Sequence, residues 1–198
     1  MSDNLVSFTA VKARGWTPAL VRDFLGEPDS LARNPYYRSG APVKLYALHR
    51  ILAVETTDAF NAAKEAAGVR SKSAKAAADV RRQELIAEIR AMVVTVSHVP
   101  LETLMRKSLA HWKANARSGE WRDGSDADNA TRGRWAVNYA RHHRTHYDTA
   151  LEAVAGRVGI GDAVDIIRAK VYRAIADAWP SLAAECTRQA NDRGVGMG

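Results

Sequence analysis

Residues 7–57 read SFTAVKARGWTPALVRDFLGEPDSLARNPYYRSGAPVKLYALHRILAVETT, and the order of capping and turn residues within them sets the architecture expected for the N-terminal third of the chain. Ser7 supplies a capping hydroxyl for a short helix over Phe8 to Arg14, and Gly15 closes it with a turn that tolerates positive φ. Thr17-Pro18 repeats the start signal: Thr17 caps, and Pro18 sits at the first helical position, where a missing N–H costs nothing. The second helix is expected from Pro18 to about Leu25. Ala10, Val11, Trp16, Leu20, Val21, Phe24 and Leu25 form the small core between the two.

Two short helices joined by a tight glycine turn make a helix-turn-helix, whose second helix enters the DNA major groove in proteins that use it so. The next segment, EPDSLARNPYYRSGAP, is rich in turn residues and carries Arg33, Tyr36, Tyr37 and Arg38. Its length suits a β-hairpin wing along a phosphate backbone. Val43, Leu45 and Ala47 alternate with Lys44 and Tyr46, which predicts a short return strand leading into a helix from about Tyr46 to Ala67.

This succession resembles the winged helix-turn-helix of MerR-like regulators and phage excisionases. NPYYRSGAPVKLYALHRI is also similar, over about twenty residues, to the wing and following helix of xeroderma pigmentosum group A DNA-repair proteins. GWTPALVRDFLGEPD together with PVKLYALHRILAVE resembles a set of uncharacterised bacterial proteins that carry a segment like VNYARHHRTHYD in their C-terminal part; that likeness implies architecture and no activity. The chain departs from the MerR-like pattern in its wing, where a longer, proline-interrupted connection replaces the compact one. The other reading of the whole stretch is a helical cap packed on the rest of the protein.

The 198 residues carry a formal charge of +7, and its distribution matters more than its size. Residues 69–146 hold fifteen Lys or Arg against eight Asp or Glu, while residues 147–198 hold six against seven. Within residues 5–50 there are seven bases and three acids. A weakly basic head followed by a strongly basic middle fits a polyanion partner. No run of eighteen apolar residues occurs and MSDNLVSF lacks the pattern of a signal peptide, so a cytoplasmic protein is expected, nucleoid-associated if it binds DNA, with no membrane partner. The single Cys186 excludes an internal disulfide and any cysteine-rich zinc site.

Further along, Leu48, Ile51, Leu52, Val54, Ala59, Phe60 and Ala63 lie close to a helical stripe, and Gly68 is expected to end that helix. Val69 to Ser73 is the expected linker. An alanine-rich helix follows from Ser73 to about Val96, with Val80, Ile86 (or Leu85), Ile89, Val93 and Val96 on one face. Its Lys72, Lys75, Arg81 and Arg82 suit either a phosphate backbone or a solvated surface. Ser97 to Pro100 breaks it, and a helix to about Arg117 buries Leu101, Leu104, Met105, Leu109 and Trp112. The acidic loop SGEWRDGSDADNATRG places Asp123, Asp126 and Asp128 at calcium-loop spacing but lacks the central glycine and final glutamate of an EF-hand, so no metal or cofactor is expected.

A helix from about Thr131 to Ala155 puts Trp135, Tyr139, His143 (or His142), His146, Tyr147, Leu151 and Val154 on one side. Gly156, Gly159 and Gly161 mark a turn. Asp162 then caps a helix with Ala163, Ile166, Ile167, Val171 (or Lys170), Ile175 and Ala178 inward; Trp179-Pro180 ends it and Ser181 caps a last helix to about Ala190. Within RHHRTHYD, Arg141 and His146 match the R-x4-H pattern of HEPN ribonucleases, and that resemblance gives Arg141 charge stabilisation and His146 proton transfer. His142, His143 and His146 share a helical face as metal ligands do. In the third reading these residues are structural or bind phosphate.

The expected fold is therefore mainly α: a winged helix-turn-helix with a short β wing over 1–68, a linker at 69–73, a helical bundle over 74–192 and a disordered tail at 193–198, with residues from Asn191 already in the tail. The expected function is double-stranded DNA binding by a homodimeric transcriptional regulator or accessory factor, with no catalytic role and with the bundle serving dimerisation or a protein partner. Thr17, Ala19 and Arg22 would face base edges, and Arg14, Arg33, Arg38 and Lys44 would contact phosphates. The alternatives are a metal-independent ribonuclease using Arg141 and His146, and a non-enzymatic protein-interaction module.

Overall fold

The computed structural model describes residues 4–37, 39–115, 124 and 126–196. The chain is mainly helical with one small antiparallel sheet, and it divides into two compact units, Met1–Ala77 and Ala78–Gly198. Among the described residues no helix is long and apolar enough to cross a membrane.

The first unit opens with β1 (Leu5–Ser7), α1 (Phe8–Ala13) and α2 (Pro18–Phe24). The capping oxygens sit where the sequence puts them: the Ser7 hydroxyl accepts from the Ala10 N–H, and the Thr17 hydroxyl from the Leu20 N–H at 3.2 Å. Gly15 takes φ +89°, and the Lys64 side chain approaches so closely that a Cβ there would stand 3.1 Å from it. After α2 come β2 (Ser30–Ala32), β3 (Val43–Ala47), α3 (Leu48–Glu55) and the start of α4 (Asp58–Ala91). The sheet order is β1-β3-β2, with Val6 opposite Tyr46 and Leu31 opposite Lys44.

The core of this unit is Val11, Trp16, Leu20, Val21, Leu25, Tyr46, Ile51 and Phe60, with Phe24 packed against it. Trp16 and Phe60 lie 4.2 Å apart between ring centroids. One expectation changes here: Ala10 is exposed. In β3 the burial concentrates at its end, where Tyr46 and Ala47 are both buried.

One long helix was expected to begin near Tyr46; instead α3 stops at Glu55 and α4 begins at Asp58. The hydroxyls of Thr56 and Thr57 donate to the carbonyls of Ala53 and Val54, each at 2.7 Å, and Thr57 Oγ1 then accepts from the Phe60 N–H. Conversely, the stop expected at Gly68 and the linker expected at 69–73 are both inside α4. A glycine in a helix interior costs only about 1 kcal/mol, and the alanines on both sides offset it. The division between units falls later, at Ala77 and Ala78. The helix then ends at Ala91 and not at Val96, because Val93, Val94, Thr95 and Val96 are four successive β-branched residues, stiff at χ1 and poor in a helix.

In the second unit, the C-terminal part of α4 is followed by α5 (Leu101–Asn115), α6 (Asn129–His143), α7 (Tyr147–Val154), α8 (Ile160–Ala178), a 3-10 turn at Pro180–Leu182 and α9 (Ala183–Asp192). Leu85 and Ile89 of α4, Leu104, Val137, Val154, Ile167, Tyr172, Ile175 and Cys186 are among the residues of its core. Leu101, expected inward, is 39% exposed. Gly159, at φ +90°, lets Arg82 lie so close that a Cβ would sit 2.7 Å from its Cγ, and Arg82 reaches Asp162. Asp162 is therefore an ion-pair partner, and Gly159 takes the N-cap position of α8. Likewise Leu182, not Ser181, precedes α9, with no side-chain cap.

The inward stripe of α6 is Gly133, Ala136, Val137, Ala140 and Arg141, rotated from the aromatic set expected. Small residues let helices approach closely, and the bulky rings are displaced to the flank, where Trp135 stacks on Trp112 at 4.3 Å and His143 meets His111 at 4.6 Å. The tail is likewise corrected: Asn191 and Asp192 belong to α9, and Val195 is buried, its N–H donating to the Ala190 carbonyl at 2.9 Å. A buried apolar side chain with a satisfied N–H holds the backbone in place.

Candidate nucleic-acid interface

α2 is anchored on one side by Leu20, Val21 and Leu25, which leaves Ala19, Arg22 and Asp23 facing solvent. Its C-terminus is closed by Gly26, at φ +66°, whose N–H donates to the Val21 carbonyl. Arg22 pairs with Asp23 at 2.8 Å, with 77% of its side chain exposed. An ion pair so open to solvent is weak and exchangeable.

Asp29 fixes the base of the β2–β3 hairpin. Its carboxylate accepts from the Ala47 N–H at 2.8 Å and from Arg50, while its own N–H donates to the Leu45 carbonyl. The Ala47 N–H, then Arg50, hold this carboxyl below the usual aspartate range. The long connection between the strands is organised by Asn34: Oδ1 accepts from the N–H groups of Tyr36 and Tyr37 at 2.9 and 3.1 Å, and Nδ2 donates to the Ala41 carbonyl. Tyr36 and Tyr37 stand 87% and 71% exposed, and Leu31 is also exposed. Arg33 and Lys44 are exposed on the hairpin.

The remaining residues proposed for the interface differ. Arg38 lies outside the described residues. Arg14 is committed to the fold: its Nε donates to Glu55 at 2.9 Å and a terminal nitrogen reaches the other oxygen. Trp16 Nε1 donates to the same carboxylate at 2.8 Å. Arg14, first of all, and then Trp16 hold the Glu55 carboxyl below the usual glutamate range. Thr17 spends its hydroxyl oxygen on the cap. The solvent-facing set is thus Ala19, Arg22, Arg33 and Lys44, joined by Tyr36 and Tyr37, which the sequence marked only as members of a turn-rich segment.

In the second unit Arg141 and His146 have different surroundings. Arg141 is 8% exposed. Nη1 donates to Tyr172 Oη at 2.8 Å, Nη2 faces His142 Nε2 at 3.0 Å, and the guanidinium lies over the Tyr147 ring at 5.1 Å. Arginine has donors only, so His142 Nε2 must accept. Its Nδ1 therefore carries the proton toward Asp148, 2.8 Å away. A buried cation is in this way held by a phenol, two aromatic faces and an imidazole that leans on a carboxylate.

His146 instead lines a surface pocket with His143 and Arg144, and Arg141 is not among its walls. The break between α6 and α7 separates the two: Thr145 donates to the Arg141 carbonyl at 2.6 Å and accepts from the Tyr147 N–H. Partial burial, then the nearby His111 and His142, push His143 below the ordinary imidazole range. Among the described residues no group of three His, Cys, Asp or Glu is arranged to hold a metal ion. Asp128 caps α6 through the Thr131 N–H at 2.7 Å, and Asp123 lies outside the described residues. Comparison of the chain with protein-family models, with curated proteins and with solved structures found no match.

Proposed function

We propose that the N-terminal unit binds double-stranded DNA as a winged helix-turn-helix of the MerR and excisionase kind, and that the protein acts as a dimeric transcriptional regulator or accessory DNA-binding factor. The observation that carries this reading is the pairing of two exposed elements a few residues apart. α2 is locked to the core by one face and offers Ala19 and Arg22 from the other, and the β2–β3 hairpin raises Arg33, Lys44, Tyr36 and Tyr37 into solvent. The succession α1, α2, β2, β3, α3 supports this reading, because the resemblance in the sequence rests on two short helices, a wing and a following helix. In this reading α2 lies in the major groove with Arg22 toward base edges, and the hairpin follows the backbone with Arg33 and Lys44 on phosphates. The weak Arg22–Asp23 pair opens on contact with the duplex.

The two kinds of contact separate experimentally. Binding to a panel of duplexes, measured by fluorescence anisotropy, is expected to weaken alike for every sequence in Lys44→Ala. In Arg22→Ala the spread between best and worst duplex is expected to narrow. If Arg22→Ala and Lys44→Ala both leave affinity and spread as they are in the parent, α2 and the hairpin are not the reading head.

A further inference from the structure

A second polar site lies in the C-terminal unit, independent of the DNA-binding surface. Where α6 ends and α7 begins, the corner packs against the extended segment over 92–100, and the Ser97 N–H donates to the Arg144 carbonyl at 2.8 Å. Between them is a pocket of about 270 Å³ whose walls include Thr95, Ser97, His143, Arg144, Thr145 and His146. Among the described residues no carboxylate lines it. The nearest acid by sequence, Asp148, is engaged by His142.

The Arg144 guanidinium is the unusual member. Among the described residues its Nε, like that of Arg168, is buried without a hydrogen-bond acceptor; the guanidinium forms no ion pair there and lies 5.9 Å from the centre of the Tyr139 ring. Buried guanidinium N–H groups are almost always satisfied, and one that is not calls for an acceptor. Every other side chain here that can interact with an oxyanion does so as a donor: two imidazoles and the hydroxyls of Thr95 and Ser97. The Thr145 hydroxyl is already spent on Arg141 and Tyr147.

We propose that this pocket binds a phosphate group, either as the free dianion or as the terminal monoester of a nucleotide, with Arg144 as its principal ligand. A planar guanidinium matches phosphate in a two-point fork. With the guanidinium turned about its last bonds to present the Nε–Nη edge, the anion supplies the missing acceptor and the missing counter-charge together. His146, exposed at the mouth, and the hydroxyls of Thr95 and Ser97 contribute the remaining hydrogen bonds.

The test is calorimetric titration of the full-length protein with inorganic phosphate and, separately, with adenosine 5′-monophosphate, sodium chloride holding ionic strength constant. Saturable binding of at least one is expected, weakened tenfold or more in Arg144→Gln, severalfold in His146→Ala and not at all in Lys107→Ala, an exposed cation outside the pocket. Phosphate alone binding identifies a free-anion site; tighter monophosphate binding identifies the ester. Absence of saturable binding by both overturns the proposal, as does an affinity in Arg144→Gln within twofold of the parent. If Arg144→Gln loses its helical circular dichroism, His146→Ala decides, and an unchanged affinity there is equally fatal. An Arg22→Ala, Arg33→Ala, Lys44→Ala variant is expected to keep phosphate binding, which separates this site from the DNA-binding surface.

Discussion

Glu55 is where the first unit is most economically tested. Its carboxylate takes the Trp16 indole N–H at 2.8 Å and both arms of Arg14, tying the turn between α1 and α2 to the end of α3. The two partners differ in weight. Arg14 is 39% exposed at its side chain, so its attraction is screened by solvent and contributes little. Trp16 is 2% exposed, and an indole N–H stranded there loses its acceptor at a cost of about 1–3 kcal/mol. Glu55→Ala strands it and is expected to destabilise the unit by about 2 kcal/mol, whereas Glu55→Gln keeps an acceptor oxygen and should cost under about 1 kcal/mol. For a folding unit of this size, about 1 kcal/mol corresponds to roughly 4–8 °C in midpoint. Urea titration followed by the Trp16 indole N–H resonance reports this unit selectively. Equal losses in the two variants would mean that the charge, and not the buried acceptor, holds the turn, and the reasoning would fail.

Three further outcomes follow from the same kind of reading. Tyr172→Phe removes the oxygen that accepts from buried Arg141 at 2.8 Å; a loss of about 1–3 kcal/mol in denaturant unfolding is expected, and an unchanged midpoint would show that His142 and the aromatic faces satisfy the guanidinium without the phenol. Asp29 and Glu55 have folded-state pKa values below their unfolded ones, so their stabilisation is complete above the ordinary carboxylate range and is lost as pH falls through the lowered values. Amide protection in α1–α3, taken relative to the intrinsic exchange rate at each pH, should fall below about pH 4, less so in Asp29→Asn, and a first unit with pH-independent protection would contradict the assignment. Cys186 is fully buried and its thiol is pushed up to about 12 by that burial; iodoacetamide should leave it unmodified in the native protein at pH 8 and alkylate it in urea, whereas rapid native labelling would refute its placement.

Much of the first unit is legible from single residues with unambiguous local chemistry. Ser7, Thr17, Pro18 and Gly15 each do one thing at a helix end, and neighbours along the chain decide it. The features the sequence left hidden depend on partners distant in sequence or on competition between residues. Thr56, Thr57 and Thr145 all capture a carbonyl three or four residues back, and two helices expected to run on are broken there. Nothing in a threonine's immediate neighbours distinguishes that use from an ordinary exposed helix position. Gly68 shows the opposite error, a strong local signal outweighed by the alanines around it. Arg141 was legible in principle: it stands four residues after Val137 and one after Ala140, on the small-residue stripe that faces the core. A charge on that stripe signals a buried cation with aromatic partners, but which tyrosines receive it is set by α7 and α8. In the second unit the histidines drew attention; the member of their pocket that is left without an acceptor is Arg144, and only burial reveals that.

The central claim is that α2 and the β2–β3 hairpin meet a duplex through their exposed cations. Its most direct test is the salt dependence of duplex binding by the full-length protein and by an Arg22→Ala, Arg33→Ala, Lys44→Ala variant. Each phosphate contact contributes about 0.9 to the slope of log K against log salt concentration. The account predicts measurable, salt-sensitive binding whose slope falls by about 2 in the variant, from the loss of the phosphate contacts of Arg33 and Lys44, with folding intact by circular dichroism. Absence of salt-dependent affinity for any duplex, or a slope identical in the two proteins, would contradict it.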